Sequence, residues 1–142
     1  MKVARSGTAA TDLRFSHSQF FVYDSGLGDP ACEWTESHSR QGFARREGVV
    51  AIGTLLECGT AKVTLALGRP EFQGYERVVS VPLQIGSGSV AVDGPEETPG
   101  IRKYQVANGD YRATIGQRRT DDGQQEVTVW LEKIAQRNAG GG

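Results

Sequence analysis

The sequence lacks any apolar run of the roughly 18 residues that a membrane-spanning helix needs, so no membrane span is expected. It lacks an excess of charge as well. Sixteen basic side chains stand against seventeen acidic ones, for a formal net charge of -1. A direct nucleic-acid binder usually shows a strongly basic footprint, and this chain does not. Cysteine is scarce, with two residues, Cys32 and Cys58. Two isolated thiols do not have the paired spacing of a zinc site. The opening MKVARSGTAATD contains no apolar stretch of the kind a secretory leader requires. A cytoplasmic location follows as the expectation, and with it two reduced, unbridged cysteines.

Catalytic patterns are missing too. No Gly-x-Ser-x-Gly nucleophile elbow occurs. The GSGS at 86–89 has neither the lysine nor the following helix of a phosphate loop, and reads as a turn. The acid pairs Glu96-Glu97 and Asp121-Asp122 fall in expected loops, where adjacent carboxylates are solvated rather than walled in as general acid-base work requires. The two histidines, His17 and His38, find no third ligand at a recognisable spacing. His17 shares the parity of Leu13 and Phe15 and is expected to be hydrogen-bonded and half-buried. His38 is expected to face solvent or to pack beside Trp34. No catalytic residue, metal ligand or cofactor is therefore assigned, and the chain is not expected to be an enzyme.

What is present is strand pattern. The 142 residues suit one domain, and the 19 glycines sit mostly where turns are needed. Residues 1–11 and 136–142 are small and polar and are expected to be disordered tails around a single domain spanning 12–135. The core-facing parity switches near Ser18-Gln19, which predicts a β-bulge. VVAIGTLL at 49–56 reads as a buried strand. Ala61, Val63, Leu65 and Leu67 alternate with polar residues, as do Val79, Val81, Leu83 and Ile85. Pro82 falls on the other parity and marks an edge strand or a bulge, because proline cannot donate to a ladder. IGSGSVAVD at 85–93 and the pair IRKYQV and YRATIGQ around Asn108-Gly109 read as two hairpins. EVTVWLEKI supplies the last strand, on which Trp130 points away from the main core, over a second cluster or under the helix. Thr35 is a helix N-cap, Glu36 complements the helix dipole, and Gly42 ends the helix. Trp34, before the cap, suits a hydrophobic staple. The fold class is all-β: a two-sheet antiparallel β-sandwich of about eight strands with one short helix.

Four blocks carry a resemblance: FSHSQFFVYD, EWTE…QGFARREGVVAIGT, YERVVSVPLQI followed by GSVAVDG, and NGDYRAT. In this order and spacing, from about Leu13 to about Leu131, the chain resembles the competence protein J family. The resemblance implies an inhibitor or immunity-type protein that binds and blocks a partner nuclease. The partner would then be a protein, with no direct nucleic-acid contact. Charge and loop position suggest Asp24, Asp29, Glu33 and Glu36 as contacts, with Trp34 and Phe43 as apolar anchors. The loops at 94–100 and 119–124 form a second acidic set. The alternative is a β-sandwich module that binds a small molecule, carbohydrate or lipid.

Overall fold

The computed structural model describes residues 8–28, 30, 32, 35–71 and 74–134. Among these described residues ten strands form two five-stranded sheets. In chain order they are β1 (Thr8–Phe15), β2 (Gln19–Asp24), β3 (Phe43–Arg46), β4 (Val49–Gly53), β5 (Gly59–Leu67), β6 (Arg77–Ile85), β7 (Ser89–Asp93), β8 (Lys103–Gln105), β9 (Gly109–Arg119) and β10 (Gln125–Lys133). A 3-10 turn occupies Ser25–Leu27 and a single short helix, α1, occupies Glu36–Gln41. One sheet runs β1-β5-β10-β9-β6 and the other β3-β4-β2-β7-β8. Every pairing is antiparallel except that of β5 with β10. The all-β sandwich expected from the alternating segments is therefore the architecture found.

The alternation places the core between the sheets. Ala61, Val63 and Leu65 of β5, Val81, Leu83 and Ile85 of β6, and Val127, Val129 and Leu131 of β10 are all buried there. They meet Phe20, Val22, Val50, Ile52, Val90 and Val92 from the facing sheet. Pro82 sits on β6, an edge strand, as its missing N–H requires. The outer face of the second sheet carries its own small cluster of Phe21, Tyr23, Ala44, Val49, Ala51 and Ala91, with Cys32 packed against it. Both cysteines are free thiols, and burial pushes the Cys32 thiol up, against the pull of Arg46.

Helix α1 forms as its caps dictate. The Thr35 hydroxyl accepts from the His38 N–H at 3.3 Å, and His38 Nδ1 accepts from the Thr35 N–H at 3.1 Å. This reciprocal box, which holds two otherwise orphaned donors, is the role found for His38. Gly42 ends the helix with φ 90.

Four local expectations are corrected. The strand β1 begins at Thr8, so residues 8–11 belong to a strand rather than to a tail. Their register against β5, Thr8↔Ala66 to Thr11↔Val63, holds a segment whose composition alone would not. The parity switch at 18–19 is a tight turn, not a bulge. It carries the chain from one sheet to the other, so both flanking strands face the same core with opposite parity. The segment 86–88 joins β6 to β7, and 106–108 joins β8 to β9, again across sheets. Neither is a hairpin. Turn residues such as Asn-Gly encode a reversal of direction, and that reversal serves an arch between layers as well as a ladder within one.

Candidate functional site

The acids singled out from the sequence differ in their surroundings. Asp24 closes β2 and is 9% exposed. Its carboxylate accepts from the Gly26 N–H at 3.1 Å, from the Gly86 N–H at 2.8 Å and from the Ser87 hydroxyl. Burial alone would raise its pKa; the Ser87 hydroxyl and the Gly86 and Gly26 amides outweigh that and hold the carboxyl below its ordinary value. Asp24 thus ties the 3-10 turn to the 86–88 crossing. Glu36 is exposed and pairs with Arg40 one helical turn on, at 3.3 Å. Phe43 is half-buried against the main core. Asp29, Glu33 and Trp34 lie outside the described residues. Asp24 and Glu36 are not brought together: α1 packs on β3, two strand positions from β2, which is about 10 Å at the usual strand spacing.

A second region is built at the opposite end of β2, where β1 hands over to it. The four residues Ser16–Gln19 close a turn through the Gln19 N–H and the Ser16 carbonyl at 3.1 Å. Its two central residues, His17 (φ 55) and Ser18 (φ 57), are both left-handed. Positive φ at both centres marks the I′ type, which asparagine and glycine satisfy best. For other side chains the left-handed region costs roughly 1–2 kcal/mol per residue. The turn is fixed from beneath by the segment after β4: the Ser18 N–H donates to the Glu57 carbonyl at 2.8 Å, and the Thr54 N–H to the Ser18 carbonyl at 2.9 Å. His17 is not half-buried as its parity predicts. The positive φ swings it outward, its side chain is 66% exposed, and Nε2 lies 3.2 Å from Glu96 Oε1.

Cavities open on both sides of this turn. One, of about 540 Å³, is lined by Arg14, Ser16, Cys58, Thr60 and Glu96 among others. The other, of about 450 Å³, is lined by Ser18, Gly42, Thr54 and Arg77. The acidic loop 94–100 forms one wall. In it Glu97 is structural: it takes both arms of the Arg102 guanidinium at 2.6 Å, the Gly94 N–H at 2.8 Å and the Arg14 N–H at 3.3 Å. Burial by itself would raise the Glu97 pKa, but Arg102 and the two amides hold it below the ordinary carboxylate value. Arg102 Nε also donates to the Asp12 carbonyl at 2.9 Å. Buried Asp93 accepts from the Tyr23 hydroxyl at 2.5 Å and the Gly100 N–H at 2.8 Å. The pair Arg102–Glu97 therefore occupies the free edge of β1, where another strand would otherwise bind.

The floor of this end is a chain of buried amides. Gln125 Nε2 donates to Gln117 Oε1 at 2.6 Å, Gln117 Nε2 to the Gly53 carbonyl at 2.7 Å, and the Leu56 N–H to Gln125 Oε1 at 3.3 Å. Both glutamines face inward and are at most 1% exposed. The sequence reading missed them, although their parity with Ile115 and Val127 was the available signal. Trp130 points away from the core as expected. It is covered by Tyr75, whose ring meets it edge-on at 5.4 Å. Among the described residues no group of three His, Cys, Asp or Glu side chains is placed to hold a metal ion. None of the described helices is long and apolar enough to cross a membrane.

Comparison with known proteins gives two structures of similar fold. One is ComJ from Bacillus subtilis, described as the inhibitor of the DNA degrading activity of NucA. It matches with a TM-score of 0.78 at 18% identity, over 89% of this chain and 96% of that one. The second is the product of crocagin biosynthetic gene J, with a TM-score of 0.55 at 16% identity, over 88% of this chain and 97% of that one. No curated protein matches the sequence. The family model of Competence protein J (ComJ) matches residues 12–135, which takes in every strand from the middle of β1 to the end of β10, and the chain belongs to that family.

Proposed function

We propose that this protein inhibits a DNA-degrading nuclease by forming a protein–protein complex with it, that it acts in the cytoplasm, and that it performs no catalysis of its own. The observation that carries the reading is membership of the Competence protein J family across residues 12–135. A fold shared with the Bacillus subtilis inhibitor over most of both chains supports it. A nuclease must bind DNA phosphates, so its cleft is basic, and an inhibitor that covers the cleft competes with DNA. A specific interface buries roughly 800 Å² on each partner. That is about a tenth of the 7896 Å² surface of this chain, so one end or one face of the sandwich suffices.

The test is titration of the purified protein into plasmid digestion by NucA and by the corresponding nuclease of its own host. Cleavage should stop near one equivalent of inhibitor, while mobility-shift assays with DNA alone show no complex. Undiminished cleavage by both nucleases at a tenfold excess would refute the proposal.

A further inference from the structure

We infer that the cavity beside Arg77 receives an acidic side chain of the nuclease, whose carboxylate takes the free donors of the Arg77 guanidinium. The inference rests on the inhibitor reading and adds to it a contact and its chemistry, which the family match does not assign.

The first observation is how Arg77 is held. It opens β6, and its side chain reaches across to the other sheet, where Nη1 donates to the Gly53 carbonyl at 3.1 Å. Its stem runs past Gly42: a Cβ on that glycine would lie 3.6 Å from Arg77 Cδ and 4.0 Å from Nε. Gly42 and Gly53 are themselves joined, the Gly53 N–H donating to the Gly42 carbonyl at 2.8 Å. The guanidinium is thus given a direction before any partner arrives. Part of the rotamer freedom of an arginine is already spent, which lowers the cost of binding through it.

The second observation is what Arg77 lacks. Arg102, Arg118 and Arg119 are each held by a carboxylate, that of Glu97, Glu126 and Glu76. Arg77 is held by a carbonyl, so its charge is unmatched among the described residues. That carbonyl is fully used, because Gln117 Nε2 also donates to it at 2.7 Å. Most of the N–H donors of the guanidinium are left over.

The third observation is the cavity these donors face. It measures about 450 Å³ and is lined by Ser18, Gly42, Gly53, Thr54 and Arg77 among others, with no carboxylate among the described residues that line it. Glu96, which meets His17, lines the cavity on the other side of the turn. The Thr54 hydroxyl is taken up by the Leu56 carbonyl, whereas that of Ser18 has no partner among the described residues and stands as a second donor. Positive charge and spare donors call for an oxyanion, and a carboxylate matches the guanidinium fork by two parallel bonds. The volume decides its source. A single inorganic ion would leave most of the cavity to water. An aspartate or glutamate on a protruding segment of the partner would fill it and exclude the solvent that screens the pair.

The experiment uses whichever of the two nucleases the protein inhibits. Arg77→Ala should keep the wild-type melting temperature, because the Gly53 carbonyl retains Gln117, and should weaken inhibition at least tenfold, mostly by faster dissociation. Arg77→Lys, which keeps the charge without the planar fork, should recover only part of the loss. Arg112→Ala removes the same charge from an exposed arginine of β9 and should inhibit as wild type. On the nuclease, each exposed Asp is replaced by Asn and each exposed Glu by Gln. One of these changes should weaken the wild-type complex yet add little beside Arg77→Ala. The inference is overturned if Arg77→Ala inhibits within twofold of wild type, if Arg112→Ala loses as much, or if every nuclease substitution adds fully to Arg77→Ala. Failure of the wild-type protein itself to inhibit would remove the inhibitor reading and this one with it. Inhibition kept by both wild type and Arg77→Ala would remove this one alone.

Discussion

Replacing Glu97 by alanine tests whether the acidic loop is a structural clasp. The carboxylate accepts four hydrogen bonds, two from Arg102 and one each from the Gly94 and Arg14 amides. Its side chain is 12% exposed and that of Arg102 15%, so removal strands a largely buried guanidinium. Breaking a buried pair from one side costs about 3–5 kcal/mol. Arg102 keeps Asp93 at 3.8 Å, which places the expected loss at the lower end, about 3 kcal/mol. At roughly 3–4 °C per kcal/mol for a chain of this length, the melting temperature should fall by about 10 °C. Urea unfolding followed by circular dichroism gives the free energy directly, and hydrogen exchange at the Arg14 and Gly94 amides should rise selectively. The pH dependence has a defined sign. A carboxyl held below its ordinary value stabilises the fold above that value and loses the contribution as pH falls through the lower, folded one. In Glu97→Gln this part of the acid sensitivity should disappear. A loss under about 0.5 kcal/mol at neutral pH would place the pair in the class of surface ion pairs and refute the clasp.

Three other outcomes follow from the same geometry. A Cβ on Gly94 would lie 1.7 Å from the Arg14 carbonyl oxygen, so Gly94→Ala should destabilise by about 3 kcal/mol or more; Gly28→Ala, left-handed but in open space, should lose about 1 kcal/mol in the same urea titration. Gln117→Leu strands the Gln125 amide, while the Gly53 carbonyl keeps the Arg77 guanidinium at 3.1 Å, and should cost about 1–3 kcal/mol by thermal unfolding, with Gln125→Leu non-additive beside it. Tyr75→Ala uncovers Trp130, and its fluorescence should shift to the red, whereas Tyr75→Phe, which loses the bond to Thr128 at 2.8 Å, should leave the emission unchanged.

Alternation was enough to identify the buried face of β5, β6 and β10, because one sheet face meets the core and the other does not. Thr35, Glu36 and Gly42 likewise revealed the helix, since caps are local chemistry. Pro82 marked an edge for the same reason. What alternation does not carry is which strand lies beside which. Asn108-Gly109 announced a reversal but not that the chain would cross to the other sheet. The clasp was hidden more deeply, because Glu97 and Arg102 act on the Asp12 carbonyl and the Arg14 amide some 83 to 90 positions away. The His17 turn was visible as a parity switch, while its left-handed backbone was not, since serine does not favour positive φ and histidine, though enriched there, adopts it in only a minority of places.

The strand order also determines when this protein can fold during synthesis. The strand β10 is the last to be made, yet it lies third of five in its sheet, between β5 and β9. Its Gln125 pairs with Ala61, so 64 residues separate partners that lie side by side. At ribosomal rates of about 5–20 residues per second, β5 waits roughly 3–13 s with one edge unpaired. A chain cut short before Gln125 would not merely lose a border strand. It would leave β1-β5 and β9-β6 as two separate ribbons with nothing between them, each exposing an open edge to the next nascent copy.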